Sequence, residues 1–133
     1  MALIVQKYGG TSVGTVDRIQ AVAEKVAGFH KRGDQVVVVV SAMSGETNRL
    51  IELAKGVSDN PSPREMDVLV STGEQVTIAL LSMALQKRGI NARSYTGSQI
   101  PLRTDSVHSK ARIEEIDDKK VRADLNGGSV VVV

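Results

Sequence analysis

The chain has 133 residues, 41% of them apolar, which supplies enough core for one compact domain, is too short for two, and argues against a disordered chain. Seventeen Lys and Arg against 15 Asp and Glu leave a formal charge of +2, and the aromatics are Tyr8, Phe29 and Tyr95. That is a poor electrostatic footprint and no stacking platform for nucleic acid, and with no cysteine there are no disulfides, thiolate metal sites or thiol nucleophiles.

The first element is the apolar run Ala2 to Gln6, which stops at Lys7-Tyr8-Gly9-Gly10. Its length and the glycine pair predict a buried strand feeding a turn. The run is too short for a signal peptide or a membrane span, and the later stretch Val76 to Leu85, which carries Thr77 and Ser82, is too short to span as well. The expectation is a soluble cytoplasmic protein with no membrane partner.

Val16, Ile19, Val22, Val26 and Phe29 then recur at helical spacing. Thr15 is the predicted N-cap, and Lys31-Arg32-Gly33 is a stop signal. Five successive valines, Val36 to Val40, show no alternation and so predict a strand covered on both faces, as in a parallel sheet. A small-residue loop, Ser41 to Gly45, leads into a second helix with Leu50, Ile51, Leu53, Ala54 and Val57 as its stripe.

Ser62-Pro63-Arg64-Glu65 joins a capping box to a proline at the first helical position. The helix it starts is expected to reach about Arg88, with a kink or break at Gly73, where Thr72 and Gln75 offer a second capping box. Asn91 to Tyr95 reads as a strand. Gln99 to Thr104 and Lys110 to Ile116 read as a hairpin, Val121 and Leu125 as a short helix capped by Asp117, and Ser129 to Val133 as a last strand. This order predicts an α/β fold, a three-layer αβα sandwich around a mainly parallel sheet.

Three segments carry residues suited to chemistry. Lys7 to Gly14, between a strand and a helix, offers a lysine and bare glycine amides to a phosphate, with spacing unlike the common phosphate loops. A glycine turn with a surface lysine at its edge explains the same residues. Ser41 to Asn48 holds small polar residues beyond a buried strand that can contact a ligand, and by itself reads more readily as an ordinary turn and cap. Ser71-Thr72-Gly73-Glu74 sets a carboxylate in an apolar helical stretch, where Glu74 either faces a cavity or is a solvated first-turn residue. His30 and His108 lack metal-ligand spacing, no metal site is expected, and Lys119, Lys120 and Arg122 read as a solvated helical face.

Together KYGGTSVG (7–14), VVVVVSAMSGETNRL (36–50) and REMDVLVSTGEQVTIALL (64–81), followed by SYTGSQ (94–99) and KARI (110–113), resemble the aspartate kinases of the amino-acid kinase superfamily over essentially the whole chain. The resemblance implies ATP, carried as its Mg²⁺ complex, and L-aspartate as substrate, with 4-phospho-L-aspartate as product at the start of lysine, threonine and methionine synthesis. It implies that Lys7 neutralises the transferring phosphates as the catalytic residue. Tyr8, Gly9, Gly10 and Ser41 would line the nucleotide phosphates, Thr47 and Glu74 would bind the amino acid, and Thr11 and Ser12 would lie in the same cleft. It also implies a homo-oligomer.

The family continues past the last valine strand into an AGFQG-like loop, a TTLGRGGSD-like segment, a nucleotide-binding half and regulatory domains. The 133 residues therefore read as the amino-terminal part of a catalytic domain, an incomplete amino-acid kinase fold. Little kinase activity and some self-association are expected of it alone. A non-catalytic ligand-binding or assembly module built on the same fold is the alternative.

Overall fold

The structure, a computed structural model, describes residues 1–105 and 112–133. In chain order the elements are β1 (Leu3–Tyr8), α1 (Val16–Lys31), β2 (Gln35–Val40), α2 (Glu46–Val57), α3 (Pro63–Lys87), β3 (Ala92–Ser94), β4 (Leu102–Thr104), β5 (Ile113–Ile116), α4 (Lys119–Asn126) and β6 (Val130–Val132). Four strands form a sheet in the order β1-β2-β6-β3, every pairing parallel, while β4 and β5 make a separate antiparallel pair. His108 and the predicted hairpin residue Lys110 lie outside the described residues.

The uninterrupted valines of β2 are explained by two different covers. Val36, Val38 and Val40 face one side and pack with Val130 and Val132 of β6 against Ile19 and Val26 of α1 and Leu81 and Leu85 of α3. Val37 and Val131 face the other side, where Leu125 and Val121 of α4 meet them. Helices on both faces give three layers, as the element order predicts. Beyond the reach of α4, Leu3 and Val5 of the edge strand β1 remain 50% and 65% exposed.

Local signals placed most helix ends correctly. The Thr15 hydroxyl accepts from Arg18 N–H, and the Ser62 hydroxyl accepts from Glu65 N–H with Pro63 next to it. Before α4 the N-cap is Asp118, but it is Asp117 that accepts from Lys119 N–H at 3.2 Å, while Asp118 pairs with Arg122. His30 is structural: its Nε2 donates to Gly128 C=O at 2.8 Å, tying the end of α1 to the approach of β6.

Two expectations are corrected. First, β1 does not stop at Gln6. Its ladder with β2 continues through Lys7 with Val39 and Tyr8 with Val40, so both residues have strand geometry rather than turn geometry. The pleat then sends their side chains to opposite faces.

Second, α3 is continuous through Gly73, with Thr72 and Thr77 hydroxyls bonded back to the carbonyls of Leu69 and Gly73. Gly73 is a packing device. A Cβ there would stand 3.1 Å from Ala42 Cβ, 3.3 Å from Glu46 Cγ and 3.5 Å from Leu50 Cδ1. By length and composition α3 could cross a bilayer, contrary to the reading of Val76 to Leu85 alone. In this fold, however, Gly73, Thr77, Ile78, Leu81, Ser82, Ala84 and Leu85 are buried along it.

Gly73→Val should therefore destabilise the protein by about 1–3 kcal/mol through overpacking. A urea midpoint unchanged from the parent would show that α2 and α3 do not meet as described.

Candidate functional site

At the carboxyl end of a parallel sheet the strands stop and loops begin, which is where such folds bind ligands. Here a cavity of about 370 Å³ opens at that end, among the termini of β1, β2, β3 and β6 and the middle of α3. Lys7 is its lining cation and Glu74 its lining carboxylate, with Ser41, Ser71, Gln75, Tyr95, Thr96 and Gly97 as further polar or small residues. Val39, Val40, Ile78 and Val133 form its apolar wall. A cation and an anion held on different elements across one cleft suit a ligand with charges of both signs.

The pleat explains the place of Lys7. Its neighbour Tyr8 turns the other way, packs against the main core and donates from its hydroxyl to Gln6 Oε1 at 3.0 Å. Burial pushes the Tyr8 phenol above its usual pKa. The Tyr8 ring thus lies half-buried against the core, and what it offers the loop is its backbone: Tyr8 C=O accepts from Ser41 N–H at 3.2 Å.

The loops after β1 and β2 are clamped together. Ser44 N–H donates to Gly10 C=O at 3.1 Å, and a Cβ on Gly10 would lie 3.0 Å from the Ala42 carbonyl oxygen. Gly10 is therefore required by loop-on-loop contact, whereas Gly9 has open space beside it. Ser12 N–H donates to Gly9 C=O at 3.0 Å. Among the described residues, none of these bonds uses the N–H of Gly9 or Gly10, so both amides suit an anionic oxygen. Gly45, at φ +82°, turns the second loop into α2 in a conformation that side chains resist.

Lys7, Ser41 and Glu74 thus meet in one cavity. Tyr8, Gly9 and Gly10 border it in sequence without lining it, and the same holds for the exposed Thr11 and half-buried Ser12. Thr47 is exposed in the first turn of α2, outside the lining. Just before it, Glu46 holds Arg49 in a two-pronged contact of 2.6 and 3.1 Å. That hydrogen bond, opposed by some desolvation, keeps the Glu46 carboxyl below its usual range.

Sequence alone assigned no place in the site to Gln75, which it read as a capping residue, or to Tyr95, Thr96 and Gly97. A signal for the first was present: Ser71, Glu74, Gln75 and Ile78 follow the i, i+3, i+4, i+7 spacing of one helix face. Treating Gly73 as a break concealed that face. Among the described residues, no three His, Cys, Asp or Glu side chains group to hold a metal ion.

Comparison with known proteins agrees with this fold. The profile of the amino acid kinase family matches residues 2–133. The chain is similar to an aspartokinase of Pseudomonas aeruginosa (71% identity) and an aspartate kinase of Pseudomonas putida (68%), in each case over all of this chain and 32% of the relative. The chain therefore spans about a third of the length of these curated relatives, in their amino-terminal part. Among solved structures, aspartate kinase from Synechocystis superposes with a TM-score of 0.86 at 50% identity, over 98% of this chain and 21% of that one. E. coli aspartokinase III, solved with aspartate and ADP, shares the fold at a TM-score of 0.75 and 22% identity, over 99% of this chain and 40% of that one.

The clamp between the two loops predicts opposite outcomes at adjacent glycines. Gly10→Ala should lower the urea midpoint, by about 1–3 kcal/mol of stability, because backbone atoms must move apart. Gly9→Ala should leave it within about 0.5 kcal/mol of the parent. Equal effects at the two positions would contradict the described contact.

Proposed function

The chain belongs to the amino acid kinase family, and from that premise we propose that it forms the amino-terminal part of an aspartate kinase catalytic domain, phosphorylating the β-carboxylate of L-aspartate with ATP. The observation that carries this reading is the pairing of Lys7 and Glu74 across one cleft at the strand ends. The aspartate substrate brings an α-ammonium group for Glu74, and the triphosphate brings negative charge for Lys7 and the amides of Gly9 and Gly10. Ser41, just past the end of β2 in the lining of the same cavity, is assigned to the same phosphates. Thr47 is assigned to the amino acid, from the first turn of α2.

The reaction asks little covalent chemistry of the protein. A β-carboxylate oxygen attacks the γ-phosphorus and forms the new P–O bond. The bond to the β,γ-bridging oxygen breaks, and ADP leaves with the electron pair. The nucleophile is already ionised, so no base is needed, and the work is alignment and charge neutralisation. Lys7, held on a strand rather than a mobile turn, offers a pre-positioned charge to the transferring phosphoryl group. Mg²⁺, bound through the phosphates, would neutralise further charge.

The same reading carries the first step toward lysine, threonine and methionine, a cytoplasmic setting and a homo-oligomer. We assign the remaining nucleotide contacts, and any regulatory domains, to the two-thirds of the relatives' length outside the matched part.

In the full-length protein, Lys7→Ala should lower kcat by about 10²–10³-fold, the usual cost of deleting one transition-state donor. Glu74→Ala should act mainly on the KM for aspartate and leave that for ATP nearly unchanged. Phosphoryl transfer unaltered in both variants would remove the basis of the assignment.

A further inference from the structure

Two cavities meet at Tyr95. One is the candidate site. The other, about 480 Å³, lies towards α4 and is lined by Arg93, Gln99, Lys120 and Asp124 among others. Tyr95 itself is only 6% exposed and packs with Leu125 and Val131. Its hydroxyl donates to the Asp124 carboxylate, and the Arg93 guanidinium stands 5.9 Å from its ring centroid. The bond to Asp124, with a smaller contribution from burial, pushes the phenol above its usual pKa, so it remains a neutral donor.

Among the described residues, few bonds hold the chain just past Tyr95. Tyr95 N–H donates to Val132 C=O at 2.8 Å, the last rung of the β3–β6 pairing. Thr96 N–H donates to Gln99 Oε1 at 2.9 Å, Gln99 N–H donates to Thr96 C=O at 3.0 Å, and the Thr96 and Ser98 hydroxyls are 3.0 Å apart, all within the loop itself. Thr96 and Gly97 then line the candidate site opposite α3. Among the described residues, the side-chain hydrogen bond that ties this wall to another element is that of the Tyr95 hydroxyl, whose acceptor stands on α4. A hydroxyl-to-carboxylate bond is charge-assisted and among the stronger kinds.

We infer that Asp124, which does not itself line the site, is a positioning residue: by accepting from Tyr95 it fixes the Tyr95–Gly97 wall against which the amino-acid substrate is held. This rests on the aspartate kinase reading. It couples α4, on one side of the sheet, to a cleft whose carboxylate comes from α3 on the other.

Four single variants of the full-length protein, Tyr95→Phe, Asp124→Ala, Asp124→Asn and Leu125→Ala, and the double variant of the first two test it. Tyr95→Phe and Asp124→Ala should each raise the KM for aspartate about tenfold, the worth of one charge-assisted bond, with kcat changed much less. The double variant should be no worse than either single one, since both delete the same contact. Asp124→Asn keeps an acceptor oxygen and should recover most of the affinity.

Leu125→Ala removes packing against the Tyr95 ring but keeps the bond, so it should lower the melting temperature and raise KM far less than the two variants that delete the bond. An unchanged KM in Tyr95→Phe and Asp124→Ala, or an equal rise in Leu125→Ala, would overturn the inference. Amide hydrogen exchange gives a readout independent of turnover: Asp124→Ala should accelerate exchange at Thr96 relative to the parent, and Leu125→Ala should do so far less. Should the parent fail to phosphorylate aspartate, the kinase reading falls, and the exchange result alone decides whether Asp124 positions this wall.

Discussion

Six register pairs, from Leu3 with Gln35 to Tyr8 with Val40, hold β1 against β2, and the candidate site depends on where that ladder stops. Because the strands run parallel and in step, their loops leave the sheet at the same end, side by side. Each loop then props the other: Ser41 reaches back to Tyr8 and Ser44 to Gly10. The parallel pairing also puts Lys7 on a pleat rather than in a turn. A lysine on a paired strand has a fixed root, so its charge is delivered in a set direction with less ordering left to be done on binding.

The second constraint is the close passage of α3. A 25-residue helix lies over the sheet, and the β2 loop and α2 approach it at Gly73, where no side chain stands between them. Glu74 comes next in the chain, so the same contact that allows close packing carries a carboxylate to the mouth of the cleft. Packing and charge placement are coupled through one residue step. Below this point Thr77, Ile78, Leu81 and Leu85 anchor the helix in the core, which makes its upper part a rigid support for the site.

The sheet itself is asymmetric. On the side of α1 and α3 it is thickly covered, while on the other α4 covers β2 and β6 and leaves Leu3 and Val5 of β1 in contact with solvent. The cleft lies where both layers end, and each layer contributes to its walls. From one side come Glu74 and Gln75; from the other comes Tyr95, held by Asp124.

Much of this was written locally. The valine run announced a strand covered on both faces, Thr15 and Ser62-Pro63 announced helix starts, and the order of elements announced a layered parallel sheet, because hydrophobic period and capping chemistry act over a few residues. The segments holding Lys7, Ser41 and Glu74 were legible for the same reason: small residues and a charge beside a strand end are visible in a single window. What only tertiary structure decided was how those windows meet. Whether Gly73 broke a helix or received side chains from elsewhere depended on Ala42, Glu46 and Leu50, some 23 to 31 positions away in the chain. Whether Tyr8 faced the cleft or the core depended on how far β1 stayed paired with β2, and Asp124 gained its partner through a fold that brings α4 beneath Tyr95. Short-range preferences choose the elements; pairing, close approach and burial, which join distant residues, choose what each side chain faces.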